Sequence, residues 1–119
     1  MDKKNKNMKS NFQATTNKGF RMTFDNGFAI SVQWGSMNYY ERRNYSDDYK
    51  SEMKENYIKS TDAEIAVIDS EGEMLAIGDG DSVIGWLSPN EVAKVIAIVS
   101  SYNPDNQKEM VEEIKALKL

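Results

Sequence analysis

The chain of 119 residues contains no cysteine and no histidine. Without cysteine there are no disulfides and no thiol nucleophiles, and without histidine the commonest general base is missing. Neither residue is present to build a zinc site of the usual kind. Any catalysis would therefore depend on carboxylates, lysine, tyrosine or serine, and we expect no metal site and no cofactor.

Long hydrophobic runs are also absent, since no apolar segment approaches the length that spans a bilayer. The first ten residues, MDKKNKNMKS, lack the apolar segment of a signal peptide. Hydrophobic residues make up 39% of the chain and the mean hydropathy is −0.66, values that are typical of a soluble globular protein. The sequence thus predicts a cytoplasmic protein with no membrane contact.

The net charge of −4 is distributed unevenly along the chain. Residues 1–9 contain four lysines and one aspartate, so this segment carries +3 and leaves −7 on the remainder. We predict a flexible basic tail at 1–17, within which 11–17 is either a linker or an edge strand. The acidic body argues against binding double-stranded nucleic acid, which requires many cationic contacts to phosphates.

A β-hairpin is predicted at 19–35, where apolar residues alternate on both sides of Asp25-Asn26-Gly27. A two-residue turn would place the two apolar rows on opposite faces of the ribbon. A three-residue loop over 25–27, with Gly27 in the left-handed conformation, places both rows on one face. We therefore predict this loop, with Phe24 opposite Phe28, Met22 opposite Ile30 and Phe20 opposite Val32.

Three further strands and two helices follow. The segments 64–69, 74–77 and 82–87 are apolar runs bounded by turn residues, and each is predicted as a strand. Ser88, Pro89 and Glu91 form a helix start signal, with the serine as N-cap and the glutamate closing a capping box. The first helix covers 89–101, and Asn103-Pro104 ends it and begins the second.

This order of elements predicts an α+β fold, an antiparallel sheet of about five strands with two C-terminal helices packed on one face. A single domain at 18–119 contains it, with a long polar loop at about 36–61. The first helix is apolar almost all round, so the sheet can cover only one side of it. The second helix or a second subunit must cover the other, and for this reason we predict a homo-oligomer.

The predicted binding residues lie at the end of the hairpin and in the loop: Gln33, Asn38, Tyr39, Tyr40, Arg42, Arg43 and Tyr45. Two of the three arginines and half of the six tyrosines of the chain fall within 38–45. Tyrosine and arginine dominate recognition hot spots, and an aromatic ring beside a guanidinium also suits a nucleobase and its phosphate. A solvated loop whose tyrosines cover the sheet edge is the alternative. Trp34 belongs to the core face by alternation.

Two acidic segments are not predicted as sites. The segment 78–82 lacks the distal glutamate of a calcium loop and the lysine of a phosphate loop, so we expect a plain turn. Asp47, Asp48, Glu52 and Glu55 have nothing apolar beside them to perturb their ionisation, and no acid–base pair can be assigned. We therefore predict that the protein is not an enzyme.

Parts of the chain resemble small proteins encoded by bacteriophages and prophages. The matching residues are Phe24-Asp25-Asn26-Gly27, Ser31-Val32-Gln33-Trp34-Gly35 and Asn38-Tyr39, which are similar to an F-x-N-G turn, an S-V-Q-F/W-G strand end and an N-Y pair. The segment 85–92, GWLSPNEV, resembles their strand-to-helix junction. The resemblance covers about a third of the chain, and the insert at 40–61 is longer here. It implies a phage accessory protein in the bacterial host cytoplasm, a class in which many members block host defence.

The leading hypothesis is a non-enzymatic anti-defence protein that sequesters a small anionic, nucleotide-like signal. In this hypothesis Arg42 and Arg43 bind phosphate, and Tyr39 or Tyr40 stacks on the base. The alternative is a protein–protein inhibitor that caps a host defence protein through the same loop, with its acidic charge steering association. A virion or structural protein is a third class.

Overall fold

The computed structural model describes residues 10–15, 18–34 and 59–119. Its strands are β1 (Asn11–Thr15), β2 (Gly19–Thr23), β3 (Ala29–Gln33), β4 (Ala63–Ile68) and β5 (Val83–Leu87). They form one antiparallel sheet in the order β1-β2-β3-β4-β5, so each strand pairs with its neighbours in sequence. The helices α1 (Pro89–Ser101) and α2 (Gln107–Ala116) follow, with a 3₁₀ turn at Pro104–Asn106 between them. The predicted α+β class, with five antiparallel strands and two helices packed on the sheet, is confirmed.

The hairpin between β2 and β3 has the three-residue loop that the apolar alternation predicts. Phe24 N–H donates to Phe28 O at 2.8 Å, and Gly27 N–H donates to Phe24 O at 2.9 Å. Gly27 has a φ of 94°, a conformation that glycine adopts without strain. The register pairs Phe20 with Val32 and Met22 with Ile30. Both apolar rows therefore face the core.

β1 occupies a segment that the sequence left open between a linker and an edge strand. Asn11–Thr15 pairs antiparallel with β2 and forms the outer edge of the sheet. The segment predicted as a tail, 1–17, therefore contains a strand, while its residues 1–9 and 16–17 lie outside the described residues. The strand is inconspicuous in the sequence because polar residues surround its one large apolar side chain, Phe12.

The strand predicted at 74–77 is wrong, because these residues join the sheet only through an isolated bridge between Met74 and Ile68 and a hydrogen bond from Leu75 N–H to Val67 O at 2.8 Å. β5 pairs with β4 from Ala63 to Ala66 and so occupies most of that edge. The alternation that suggested a strand is real, since Leu75 and Ile77 are buried in the core. Alternation of apolar residues indicates which side chains are buried. It does not indicate which of two segments pairs with the edge of a strand.

α1 begins at the predicted start signal and is buried on two sides. Ser88 Oγ accepts the Glu91 N–H at 3.2 Å, and Glu91 Oε1 accepts the Ser88 N–H at 2.8 Å. α1 lies over β3, β4 and β5 and also contacts α2. Its buried residues are Val92, Val95, Ile98 and Val99. α2, which places Met110 and Ile114 in the core, thus supplies the second cover within one chain.

The tip of the hairpin holds the C-terminal end of α1. Asn26 Nδ2 donates to Val99 O and to Tyr102 O, both at 2.8 Å, while its Oδ1 accepts the Phe28 N–H at 3.0 Å. A helix leaves its last carbonyls without partners, and here one side chain satisfies two carbonyls at that end. Tyr102 also donates its hydroxyl to Glu113 at 2.6 Å, and this hydrogen bond raises the pKa of the tyrosine.

Candidate functional site

An apolar cleft of about 510 Å³ opens at the end of the sheet where β3 ends and β4 begins. Its floor is the core face of β2 and β3, and its wall is the N-terminal half of α1. The residues that define this apolar cleft are Phe20, Val32 and Trp34 from the sheet and Pro89, Ala93 and Ile96 from α1. Its volume falls within the range of about 300–1,000 Å³ that is usual for ligand pockets.

Trp34 and Phe20 form an aromatic pair at the floor of the cleft. Their ring centroids are 6.4 Å apart and their planes are inclined by 73°, an edge-to-face arrangement. The backbone N–H of Trp34 donates to Lys18 O at 2.7 Å, which continues the ladder beyond the end of β3. Trp34 is partly buried and packs against the core, so its predicted place on the core face is confirmed.

The rim of the cleft is polar and balanced in charge. Lys59 and Asp62 supply the two charged side chains among the described residues that line it. Ser60 Oγ donates to Asp62 O at 2.7 Å and accepts the Asp62 N–H at 3.2 Å, which fixes the turn into β4. The nearby N-terminus of α1 is already capped by Ser88 and carries Glu91 in its first turn. The described rim therefore offers no concentration of positive charge for an anion.

Of the predicted binding residues, only Gln33 lies within the described residues. Gln33 lies between Val32 and Trp34, so its side chain is on the face of the sheet away from the cleft. Its Nε2 donates to Ser31 Oγ at 3.1 Å. Both side chains line a shallow groove of about 240 Å³ on the opposite face of the sheet. The others lie outside the described residues: Asn38, Tyr39, Tyr40, Arg42, Arg43 and Tyr45.

The cleft is nevertheless connected to that loop by the chain itself. The described chain stops at Trp34 and resumes at Lys59, and both residues line the cleft. The two described residues that flank the predicted loop residues in sequence are therefore both part of the cleft. Apart from Gln33, sequence reasoning assigned the residues before 35 to folding, and it missed the cleft. The available signal was the apolar row of the hairpin, which continues to Trp34 at the last described position.

Trp86 is an exposed aromatic residue that lies outside the cleft. Its side chain is 57% exposed and its backbone has a φ of 62°, which is unusual for a bulky residue. The register of β5 against β4 shifts between Ala63 and Ile65, so Trp86 lies in a β-bulge. The sequence gives no signal for this conformation, because the glycine that such a bulge favours stands one position earlier, at Gly85.

Another cavity of about 510 Å³ lies between 77–85 and the C-terminal part of α2. Its rim mixes charges of both signs from Asp79, Asp81, Lys115 and Lys118. The Asp81 carbonyl accepts the Gly78 N–H at 2.9 Å, as in the turn predicted at 78–82. Within the described ranges, no group of three or more acidic side chains is placed to hold a metal ion.

Comparisons with models of protein families, with curated proteins and with solved structures find no match to this chain. No helix among residues 10–15, 18–34 and 59–119 is both long and apolar enough to cross a membrane. The site therefore has to be interpreted from its own geometry.

Proposed function

We propose that the protein acts by binding another protein, and that the apolar cleft receives an apolar or aromatic side chain of that partner. The observation that carries this proposal is the composition of the cleft, in which Phe20, Trp34 and Ile96 face a common space. Interfaces are dominated by a few such side chains inserted into well-packed pockets, with a polar rim that excludes water. The charge-balanced rim at Lys59 and Asp62 fits that pattern.

This proposal corresponds to the alternative hypothesis of the sequence analysis, a protein–protein inhibitor. The resemblance to phage proteins supports a host protein as the partner, in the bacterial cytoplasm and without catalysis. The acidic body, with −7 outside residues 1–9, supports electrostatic steering toward a basic partner. Trp34 and Lys59, the described residues on either side of the predicted Tyr/Arg loop, line the cleft, so we propose that the loop residues extend the same contact surface.

Ala93→Glu is expected to weaken partner capture from bacterial lysate at least tenfold, about 1.4 kcal/mol, because the charge would be desolvated in the cleft. Ala93 is exposed in the free protein and lines the cleft. Ala97→Glu is the matched control, since Ala97 is exposed on the same helix, about one turn further on, and does not line the cleft. The measurement is the amount of a stoichiometric partner retained by immobilised wild type and by each variant.

Loss of capture in both variants, or in neither, would rule out the cleft as the binding surface. The two melting temperatures provide the folding control and should stay close to that of the wild type, since both positions are solvent-exposed. A hydrophobic dye such as anilinonaphthalene sulfonate gives a second readout without the partner. It should bind the wild type and Ala97→Glu better than Ala93→Glu.

Sequestration of a nucleotide-like signal remains the second proposal, and one observation favours it. Trp34 and Lys59 line the same cleft, so an aromatic residue and a cationic residue lie beside one space. Trp86→Phe leaves Trp34 as the only tryptophan, and its fluorescence then reports on occupancy of the cleft. A change in that fluorescence with a signalling nucleotide, accompanied by a higher melting temperature, would favour this reading over the protein partner.

A further inference from the structure

The direction of the backbone groups of β2 can be read from the hairpin that it forms with β3. Phe24 N–H donates to Phe28 O, and Trp34 N–H donates to Lys18 O. Hydrogen-bonded pairs alternate with non-hydrogen-bonded pairs along an antiparallel ladder. The even-numbered residues between positions 18 and 24 therefore direct their backbone groups toward β3, and the odd-numbered residues direct theirs toward β1.

The same alternation identifies the groups at the outer edge of β1. Gln13 pairs with Arg21, an odd-numbered residue of β2, so Gln13 bonds inward. Phe12 and Ala14 then direct their N–H and C=O groups outward. β1 is the terminal strand of the sheet, so no strand of the described chain lies beyond it.

β1 lacks the devices that usually protect an edge strand. Asn11–Thr15 contains no charged residue and no proline, and its register with β2 is regular from end to end. Edge strands are normally protected by charges, prolines or bulges, because their free backbone groups pair readily with another strand. Phe12 adds a large apolar side chain that is 81% exposed.

We propose that two copies of this chain associate through β1, antiparallel, with a two-fold axis at Gln13. Phe12 of each copy then pairs with Ala14 of the other, and these hydrogen-bonded pairs exchange both N–H···O bonds. The two sheets become one continuous sheet across the axis, and the contact is isologous, as in most dimers. Gln13 faces its own counterpart in a non-hydrogen-bonded pair.

The side chains on the helix side of the sheet are complementary in this register. Phe12 pairs with Met22 and Ala14 pairs with Phe20, so all four share one face. Across the axis the ring of Phe12 meets the partner's Ala14, which is small, and beyond it the partner's Phe20. In the described chain α1 lies over β3, β4 and β5, α2 contacts α1, and neither helix contacts β1 or β2, so nothing in these helices obstructs the ring. The large side chain of Phe12 thus lies opposite the small side chain of the partner's Ala14, and the two-fold axis produces this pair twice. This self-complementarity argues that a second copy of the chain binds at β1.

Among the described residues, the charges on the sheet do not oppose this dimer. β1 itself is uncharged, and the nearest cation on the sheet is Arg21, which pairs with Gln13. The two copies of Arg21 would be three strand spacings apart, about 14 Å. That separation exceeds the Debye length of about 8 Å in physiological salt. The sequence argument located the interface of the predicted homo-oligomer at the first helix, whereas the contact proposed here is formed by β1, near the other end of the chain. This contact does not depend on what the cleft binds.

Gln13→Cys tests the register directly, because the chain contains no other cysteine. Residues opposite each other in a non-hydrogen-bonded pair have Cα atoms about 4.5 Å apart, which a disulfide can span. Mild oxidation of the full chain is expected to convert most of this variant to a covalent dimer. Thr15→Cys is the matched control, since its two thiols would be about 14 Å apart and should remain largely uncrosslinked.

The second measurement is sedimentation equilibrium of the wild type and of two variants in which no cysteine is introduced. The wild type should dimerise as its concentration rises, Phe12→Lys should shift the dissociation constant upward at least tenfold, and Met74→Lys should leave it unchanged. Met74 is the control because it is an exposed apolar residue away from β1. A wild type that stays monomeric at high micromolar concentration, equal crosslinking of the two cysteine variants, or a dimer lost only in Met74→Lys would overturn the proposal.

Discussion

Replacing Gly19 with alanine is expected to lower the free energy of unfolding by about 3 kcal/mol or more, because a disfavoured φ and a steric overlap add together. Gly19 has a φ of 139° at the start of β2. A Cβ atom there would lie 2.0 Å from Val32 O and 2.8 Å from Gln33 Cα. Both are backbone atoms, so relief requires β2 and β3 to separate beside the floor of the apolar cleft.

Urea unfolding of three glycine-to-alanine variants separates the overlap from the φ penalty. Gly72 has a φ of 87°, and a Cβ there meets nothing within 4 Å, so its replacement carries only a conformational cost of about 1–2 kcal/mol. Gly27 has a φ of 94°, and its Cβ would lie 3.1 Å from Ser70 Cβ, which belongs to a side chain. The expected order of destabilisation is Gly19, then Gly27, then Gly72. Equal losses at Gly19 and Gly72 would show that the two strands do not approach so closely.

The parts of the fold that the sequence predicts correctly are those that local rules determine. The three-residue loop at Gly27 follows from period-two alternation on both sides of one short segment. The start of α1 follows from Ser88 and Glu91, whose reciprocal hydrogen bonds join residues three positions apart. In both cases the deciding contacts lie within a few residues in sequence, so no tertiary information is needed.

The errors concern competition between distant segments for the same partner. Residues 74–77 alternate as a strand would, but β5 occupies the edge of β4 that they would need. Asn11–Thr15 has a weak pattern and becomes a strand because β2 offers it a free edge. Local sequence cannot rank such pairings, because their free energies depend on which other strands are already in place.

The apolar cleft is unpredicted for a related reason. Phe20 and Trp34 were correctly assigned to the core face, yet they are only partly buried, because α1 lies over β3, β4 and β5 and stops short of β2. The cleft is the space that this offset of the helix leaves above the end of the hairpin. Its position depends on how α1 packs, which the helix sequence alone does not specify.

Replacement of Asn26 is the second change expected to have a large effect on the free energy of unfolding. The role of Asn26 also depends on contacts that are distant in sequence. In the sequence, Asn26 next to Gly27 indicates a turn. In the fold, the side-chain amide of Asn26 also joins the hairpin to α1, more than 70 residues away in sequence. α1 ends at Tyr102 with extended backbone, and no glycine stands at the positions that usually cap a helix C-terminus. Asn26 therefore supplies from a distance the cap that the helix sequence lacks.

Asn26→Ala is expected to lower the free energy of unfolding by about 3 kcal/mol, since three hydrogen bonds of about 1 kcal/mol each are lost. Two of them leave the Val99 and Tyr102 carbonyls without this donor, in a partly buried place. Urea unfolding at neutral pH measures the loss. Faster amide hydrogen exchange at the end of α1 than at its start would locate the damage at the cap.

Asn26→Asp keeps the shape of the side chain and the acceptor for the Phe28 N–H, but it replaces the donor with a charge. The introduced carboxylate would face two carbonyl oxygens at the negative end of the α1 dipole, so its pKa should rise above the ordinary value of about 3.9. A raised folded-state pKa makes the neutral form the stabilising one. Relative to Asn26→Ala, this variant should therefore be less stable at neutral pH and should recover as the pH falls through the raised pKa. If the gap between the two variants did not change with pH, Asn26 would not be donating to the helix carbonyls.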